Sequence, residues 1–332
     1  MSDSDSFAFD GLRLGPHPQT VVALWLGLLL AGQVGLLLLL LTIIFSTTLP
    51  PRLPVLLNFI LISFLGTPVQ LILFYTGQIL NPVVPYEICL TQTVLKHAVD
   101  AAFFPALLLF TIECYRSAAH GPKPYQISTM RNSVLLSLPY LHAIPWGLAV
   151  LIVGIRYPNK VSRELHGHFC SLADNSMGLA STIETAIFVF LMIVWQGRLW
   201  MLWWRRRKAA KTFGFVHQLN LALILRIAMF TTWELISLLY SSRSATGNTP
   251  IASSFLATLP LTIFLIFATQ RNILRLWFRC IMGRPTEVPT MPPTSQRSQI
   301  REISIQPLEP VEFMESRRHV NGMTGSMKDE SA

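Results

Sequence analysis

Several ionisable side chains stand inside strongly apolar stretches of this sequence. Lys96, His97 and Asp100 share one stretch, Glu184 lies in another, and Arg226 and Glu234 lie in a third. Charge in an apolar stretch is costly unless it faces a protected interior, water or a partner of opposite sign. Lys96 and Asp100 are four residues apart, so on a helix they share a face. At the helical rise of about 1.5 Å per residue, Lys96 lies about 10 Å and Asp100 about 16 Å below Cys89. Glu234 and Glu184 fall at about 10 and 15 Å below the corresponding ends of their own stretches. Two chemistries suit such a set. Lys96, Asp100, Glu184, Trp233 and Glu234 can line a pocket for a small polar ligand. Alternatively, ion pairs such as Lys96 with Asp100, or Arg226 with Asp100, fix helix packing. Trp233 by itself reads as packing, and His142 as a hydrogen-bonded core residue.

Other site chemistries are missing from the sequence. His166 and His168 stand near Cys170, but no second ligand pair accompanies them as a metal site requires. There is no glycine-rich phosphate loop and no assembled Ser/His/Asp set. No Asn-x-Ser/Thr sequon occurs. No cofactor is implied, and the expected class is not an enzyme.

The elements that must position the charges are long and apolar. Of 332 residues, 52% are hydrophobic and 13% charged, with a mean hydropathy of +0.48; soluble domains carry about 25% charge. Apolar runs long enough to cross a bilayer occur at about 21–47, 53–80, 88–118, 133–155, 175–204, 215–240 and 251–269. Backbone polar groups in lipid must be satisfied within the segment, so each run reads as a helix. The expected fold is an all-α membrane protein, a seven-transmembrane helix bundle over 21–270. The acidic head, 1–20, reads as extracellular and leads into a first span, not a cleaved leader.

Lys and Arg set the orientation. With the N-terminus outside, the inner segments hold Arg52; Arg116, Lys123 and Arg131; Arg205, Arg206, Arg207, Lys208 and Lys211; and Arg271, Arg275, Arg279 and Arg284. The outer segments hold only Arg13, Arg156, Lys160, Arg163 and Arg243. The net charge of +9 is thus an orientation signal for a plasma-membrane protein with a cytoplasmic C-terminus, not a nucleic-acid footprint. Residues 271–283 read as a short amphipathic helix on the membrane surface, with Arg271, Arg275 and Arg279 repeating every four residues. Residues 284–332, rich in Pro, Ser, Thr, Glu and Arg, read as a disordered cytoplasmic tail in which Ser295, Ser298 and Ser304 are candidate phosphorylation sites.

Four cysteines follow the same geography. Cys89 and Cys170 both fall on the outer side, where an oxidising compartment permits a disulfide tying the second outer loop to the third span. The other possibility is four unpaired thiols. Cys114 and Cys280 fall on the reducing side, and Cys280, at the end of the surface helix, is a candidate for lipidation by a palmitoyl chain. Arg205, Arg206 and Arg207, with Lys208 and Lys211, form a basic loop between spans five and six. It is either a contact for an intracellular partner or a topology signal resting on anionic lipid.

Seven spans, an outer N-terminus, the Cys89 and Cys170 positions and a surface helix after span seven together resemble the rhodopsin-like G-protein-coupled receptors. The likeness covers about 20–283. That family carries an Asp/Glu-Arg-Tyr triplet at a set distance after the bridge cysteine; counted from Cys89, the distance reaches Glu113-Cys114-Tyr115, with Arg116 one residue late. The family's Cys-Trp-x-Pro is represented here by Thr232-Trp233-Glu234-Leu235. Its Asn-Pro-x-x-Tyr is represented by Leu259-Pro260-Leu261-Thr262-Ile263. The acidic residue of its span two is replaced near Pro68. These departures resemble those of divergent fungal orphan receptors. The resemblance implies an extracellular ligand bound in the outer half of the bundle and a heterotrimeric G protein as inner partner. It places Glu113, Cys114, Tyr115, Arg116 and Arg205–Arg207 at the G-protein contact or activation switch, and Glu113 can pair with Arg116 or Arg131 to hold an inactive state. A retinal-binding member would need a lysine in span seven, and 251–269 has none.

Two other functions compete. A transporter or channel would use the charges of spans three, five and six as a substrate path, but the paired repeats common in transporters are not seen. An intramembrane hydrolase would need clustered His, Asp and Ser at the inner span ends, which the sequence lacks.

Overall fold

The protein is described here by a computed structural model covering residues 18–46, 54–81, 83–120, 128–163, 167–213, 225, 228–233, 235–236 and 257–281. These residues are mostly helical. In chain order they form α1 (Pro18–Phe45), α2 (Pro54–Gln70), α3 (Ile72–Tyr75), α4 (Tyr86–His120) and α5 (Thr129–Arg156). A hairpin of β1 (Val161–Ser162) and β2 (Ser171–Leu172) follows, then α6 (Asn175–Phe213), α7 (Leu259–Ala268) and α8 (Arg271–Ile281). Residues 228–233 are also helical. The expected tail from 284 onward lies outside the described residues, as do Arg226, Glu234 and most of the sixth expected span.

Among the described residues, four helices are long and apolar enough to cross a membrane: Gln19–Phe45, Tyr86–His120, Thr129–Arg156 and Asn175–Lys208. Their outward faces are apolar. On α5, Leu138, Leu141, Ile144, Leu148, Ile152 and Ile155 are exposed; on α6, Leu179, Ile183, Ile187, Phe190 and Ile193 are exposed. Apolar faces of this extent suit hydrocarbon and not water. Phe59 of α2 is fully buried in the main core cluster. Its ring contacts Phe103 and Phe110 of α4, Phe230 of the 228–233 helix and Phe267 of α7, at centroid distances of 5.5, 6.0, 5.9 and 6.3 Å. On the α1–α7 contact, a Cβ placed on Gly32 would lie 2.7 Å from Pro260 Cβ and 2.8 Å from the Leu261 backbone nitrogen. The missing side chain lets the two backbones approach.

The second expected span, 53–80, is not one helix. Pro68 has no N–H to give the Phe64 carbonyl, and the Thr67 hydroxyl donates to that oxygen instead, at 2.8 Å. The helix breaks at Leu71, and one further turn, α3, ends at Gly77 with φ +69°. There the Gln78 N–H bonds the Leu73 carbonyl at 2.7 Å and the Gly77 N–H bonds that of Phe74 at 3.1 Å. This is the paired terminus that a left-handed residue makes possible.

The outer loop before α6 carries a short hairpin, in which β1 and β2 pair antiparallel, Val161 with Leu172 and Ser162 with Ser171. The basic run Arg205–Lys208 is not a loop, because α6 continues through it to Phe213. Arg, Lys and Ala are strong helix formers, and nothing in Arg205-Arg206-Arg207-Lys208-Ala209-Ala210 breaks the turn.

Candidate functional site

The site is built on one stripe of α4. Cys89, Gln92, Lys96 and Asp100 follow one another at three- and four-residue steps, so they line a single face. At the top, Cys89 forms a disulfide with Cys170, with Cα atoms 5.2 Å apart, which anchors the hairpin. One turn lower, fully buried Gln92 donates through Nε2 to the carbonyls of Val69 (3.1 Å) and Gln70 (3.0 Å), next to the break between α2 and α3. Its Oε1 accepts the Cys170 N–H at 2.9 Å. The hairpin is held again by buried Arg163, whose guanidinium donates to the carbonyls of Gly167, Asn81 (3.0 Å) and Ile79 (2.7 Å). Burial lowers the Arg163 pKa to about 10. At the hairpin's edge, a hydrogen bond from Lys160 at 2.8 Å holds the Asp174 carboxyl down at about 2.

These anchors set His168 and Phe169 in place. The His168 ring is fully buried and stacked on Trp25 of α1, with centroids 5.1 Å apart and planes 11° apart. Neither ring nitrogen has a hydrogen-bond partner among the described residues. Burial, and next the charge of Arg163, lower its pKa to about 4. Phe169 packs in the same buried cluster as Trp25, and the Lys96 ammonium lies over its ring, 5.0 Å from Nζ to centroid.

Below Phe169 lies a cavity of about 240 Å³ between α2, α4, α6 and α7. Lys96 and Asp100 line it, joined by an ion pair of 2.6 Å. Lys96 is the more enclosed partner, its side chain 16% exposed against 43% for Asp100. Gln70, Ser63, Ser181, Thr182 and Thr185 add polar groups, and Phe103, Phe104, Ile62 and Ile263 an apolar floor. The Ser63 and Thr182 hydroxyls donate to their own helix backbones at 2.8 Å, so toward the cavity their oxygens act as acceptors. The space is somewhat below the roughly 300–1,000 Å³ usual for binding pockets, so it suits only a compact ligand.

Of the five residues expected at a ligand site, Lys96 and Asp100 come together here. Glu184 does not line the cavity; it bonds His142 of α5, leaving its neighbour Thr185 to face the site. Trp233 is partly buried and does not appear in the lining, and Glu234 lies outside the described residues. The Lys96–Asp100 pair also satisfies the packing alternative read from the sequence. Phe169, Gln92 and the hydroxyls at 181, 182 and 185 were not singled out there. The polar Ser181-Thr182-x-x-Thr185 spacing within an apolar run was the available signal.

At the other end of α4, Glu113 is fully buried. It accepts from Arg131 of α5 and, at 3.4 Å, from Arg116. Cys114 is a buried free thiol, and Tyr115 meets Trp195 of α6 edge-on at 5.4 Å. Arg206 donates to the Ala119 carbonyl at 3.1 Å, while Arg205 and Arg207 are exposed. In α8, Ile273 is buried and Trp277 donates to the Thr42 hydroxyl of α1 at 2.9 Å. The Cys280 side chain lies outside the described residues.

No protein-family model matches the chain, and no curated protein matches it. The site's geometry therefore carries the functional argument alone.

Proposed function

We propose that the chain is a seven-span receptor of the plasma membrane, with its N-terminus outside, that binds a small extracellular ligand and signals through a heterotrimeric G protein. The observation that carries this reading is the cavity beneath Phe169. It joins a charged pair to an apolar floor, on the side where the disulfide requires an oxidising compartment. The buried Glu113 with Arg131 and Arg116, at the far end of the same helix, supports a resting-state tie between α4 and α5. A ligand acts on such a bundle only through different affinity for its two states. Rearranging the Lys96–Asp100 pair is a direct source of that difference.

The test is whether the purified protein speeds GTPγS loading on a Gα subunit in the presence of a ligand library. Asp100→Asn and Glu234→Gln are then compared at matched surface levels. The reading expects loss of the ligand response in Asp100→Asn; normal signalling by both variants refutes the pocket. A transporter or channel is the second reading, favoured by the same intramembrane ion pair. Ligand uptake into vesicles without nucleotide exchange would establish it.

A further inference from the structure

We propose that the far end of α6 holds the headgroup of an anionic phospholipid on a face made of Trp200, Trp203, Trp204, Arg207 and Lys208. These residues follow the i, i+3, i+4, i+7, i+8 pattern that places side chains on one face of a helix. The contacts agree with the pattern. Trp200 and Trp203 are 5.0 Å apart between ring centroids, the Arg207 guanidinium lies over Trp203 at 5.2 Å, and the Lys208 ammonium lies over Trp204 at 5.9 Å. The indoles thus hold the two cations in place before any ligand arrives.

Depth favours lipid over a soluble partner. Residues 175–204 span about 45 Å as a helix, the full bilayer with its headgroups. Trp200 and Trp204 then sit at headgroup level, where an aromatic ring with one polar edge is most stable. They are 43% and 49% exposed, which leaves room for an acyl-chain neck against the rings. Arg207 and Lys208 follow within one turn, and the tilt of about 20° usual for spanning helices keeps them at the polar edge of the bilayer. Among the described residues no carboxylate forms an ion pair with Arg207, and a guanidinium matches phosphate oxygens bidentately. Arg206 is turned elsewhere, bonded to Ala119 at the end of α4. The site needs only that α6 crosses the bilayer, so it stands or falls apart from the receptor reading.

The test uses the full chain in nanodiscs and tryptophan quenching by phospholipids with brominated chains. Brominated phosphatidylglycerol is compared with brominated phosphatidylcholine, and Trp200→Phe/Trp204→Phe identifies the reporting rings. Each cation near an anionic surface is worth roughly 5-fold in affinity, so the two together predict a preference of about 25-fold for the anionic lipid. Arg207→Gln/Lys208→Gln abolishes that preference, while the charge-preserving Arg207→Lys/Lys208→Arg keeps most of it. Arg198→Gln also keeps it, because Arg198 stacks on Trp195 on another face, at 4.9 Å. Equal quenching by both lipids overturns the proposal. So does a preference that survives Arg207→Gln/Lys208→Gln, or one lost equally in Arg198→Gln, which would mean bulk charge and no site. Suppression of the preference by inorganic phosphate alone would assign the cations to a soluble anion instead.

Discussion

Replacing Gln92 by Leu removes a three-way junction with little change in side-chain volume. Gln92 is fully buried and serves the Val69 and Gln70 carbonyls and the Cys170 N–H at 3.1, 3.0 and 2.9 Å. The substitution leaves all three backbone groups without this partner. Interhelical hydrogen bonds in membranes average about 0.6 kcal/mol, whereas an orphaned buried group in a protein core costs about 1–3 kcal/mol. Three such groups set the loss at about 2 to 9 kcal/mol, lessened by the apolar gain of the leucine. Gln92→Glu separates hydrogen bonding from volume. At neutral pH its carboxylate faces two carbonyl oxygens and still accepts from Cys170, so it destabilises more than leucine does. Acidification restores part of the loss, because the protonated acid can donate one bond. Intrinsic fluorescence during thermal unfolding in nanodiscs reads the stability, with an expected fall of several degrees in Tm. Hydrogen exchange across 161–175 reads the Cys170 amide, which should exchange faster in Gln92→Leu. A Tm unchanged within about a degree, together with unchanged exchange, would refute the junction.

Three further outcomes follow from the packing and charges. Gly32→Ala should sharply reduce folded protein, since its Cβ would meet the Leu261 backbone at 2.8 Å; Gly27→Ala, with nothing within 4 Å, should be neutral or gain up to about 1 kcal/mol of helix propensity, as chaotrope or thermal unfolding will show. His168 is held neutral in the fold, with its pKa lowered from 6.5 to about 4, so the unfolded chain binds a proton first as pH falls. Its contribution is complete above about 6.5 and lost between 6.5 and 4, by roughly 3 kcal/mol. His168→Phe, which keeps the stack on Trp25, should flatten Tm against pH in that window. Arg131→Gln strips a donor from buried Glu113 and should destabilise by about 1–3 kcal/mol, while Glu113→Gln in the same chain should recover part of it. A double-mutant cycle with additive losses would show that the two side chains are not coupled.

Four of the expected spans were legible because run length and hydropathy are local properties, and a bilayer rewards them wherever the helix ends up. The Cys89–Cys170 bridge was legible because both cysteines flank ends of apolar runs that the alternating topology puts together. The Lys96–Asp100 pair was legible because four-residue spacing fixes neighbours within one helix. Glu184 was assigned to the pocket by depth alone. Depth says nothing of rotation about the helix axis, and the rotation of α6 gives Glu184 to His142 and Thr185 to the cavity. The basic run was read as a loop because charge interrupts an apolar span, although it does not interrupt a helix.

By itself the sequence located the stretches of chain that form four helices long and apolar enough to cross a membrane, and the charges that are costly within them. Tertiary structure decided the rest. Gln92 could be recognised as a junction only once α2 had broken near Pro68 and brought two carbonyls to it. Phe169 came to line the cavity only once Cys170 and Arg163 had held the hairpin against α4. Such partners are distant in sequence, and their meeting depends on how each helix is turned and tilted against its neighbours, which no local pattern encodes.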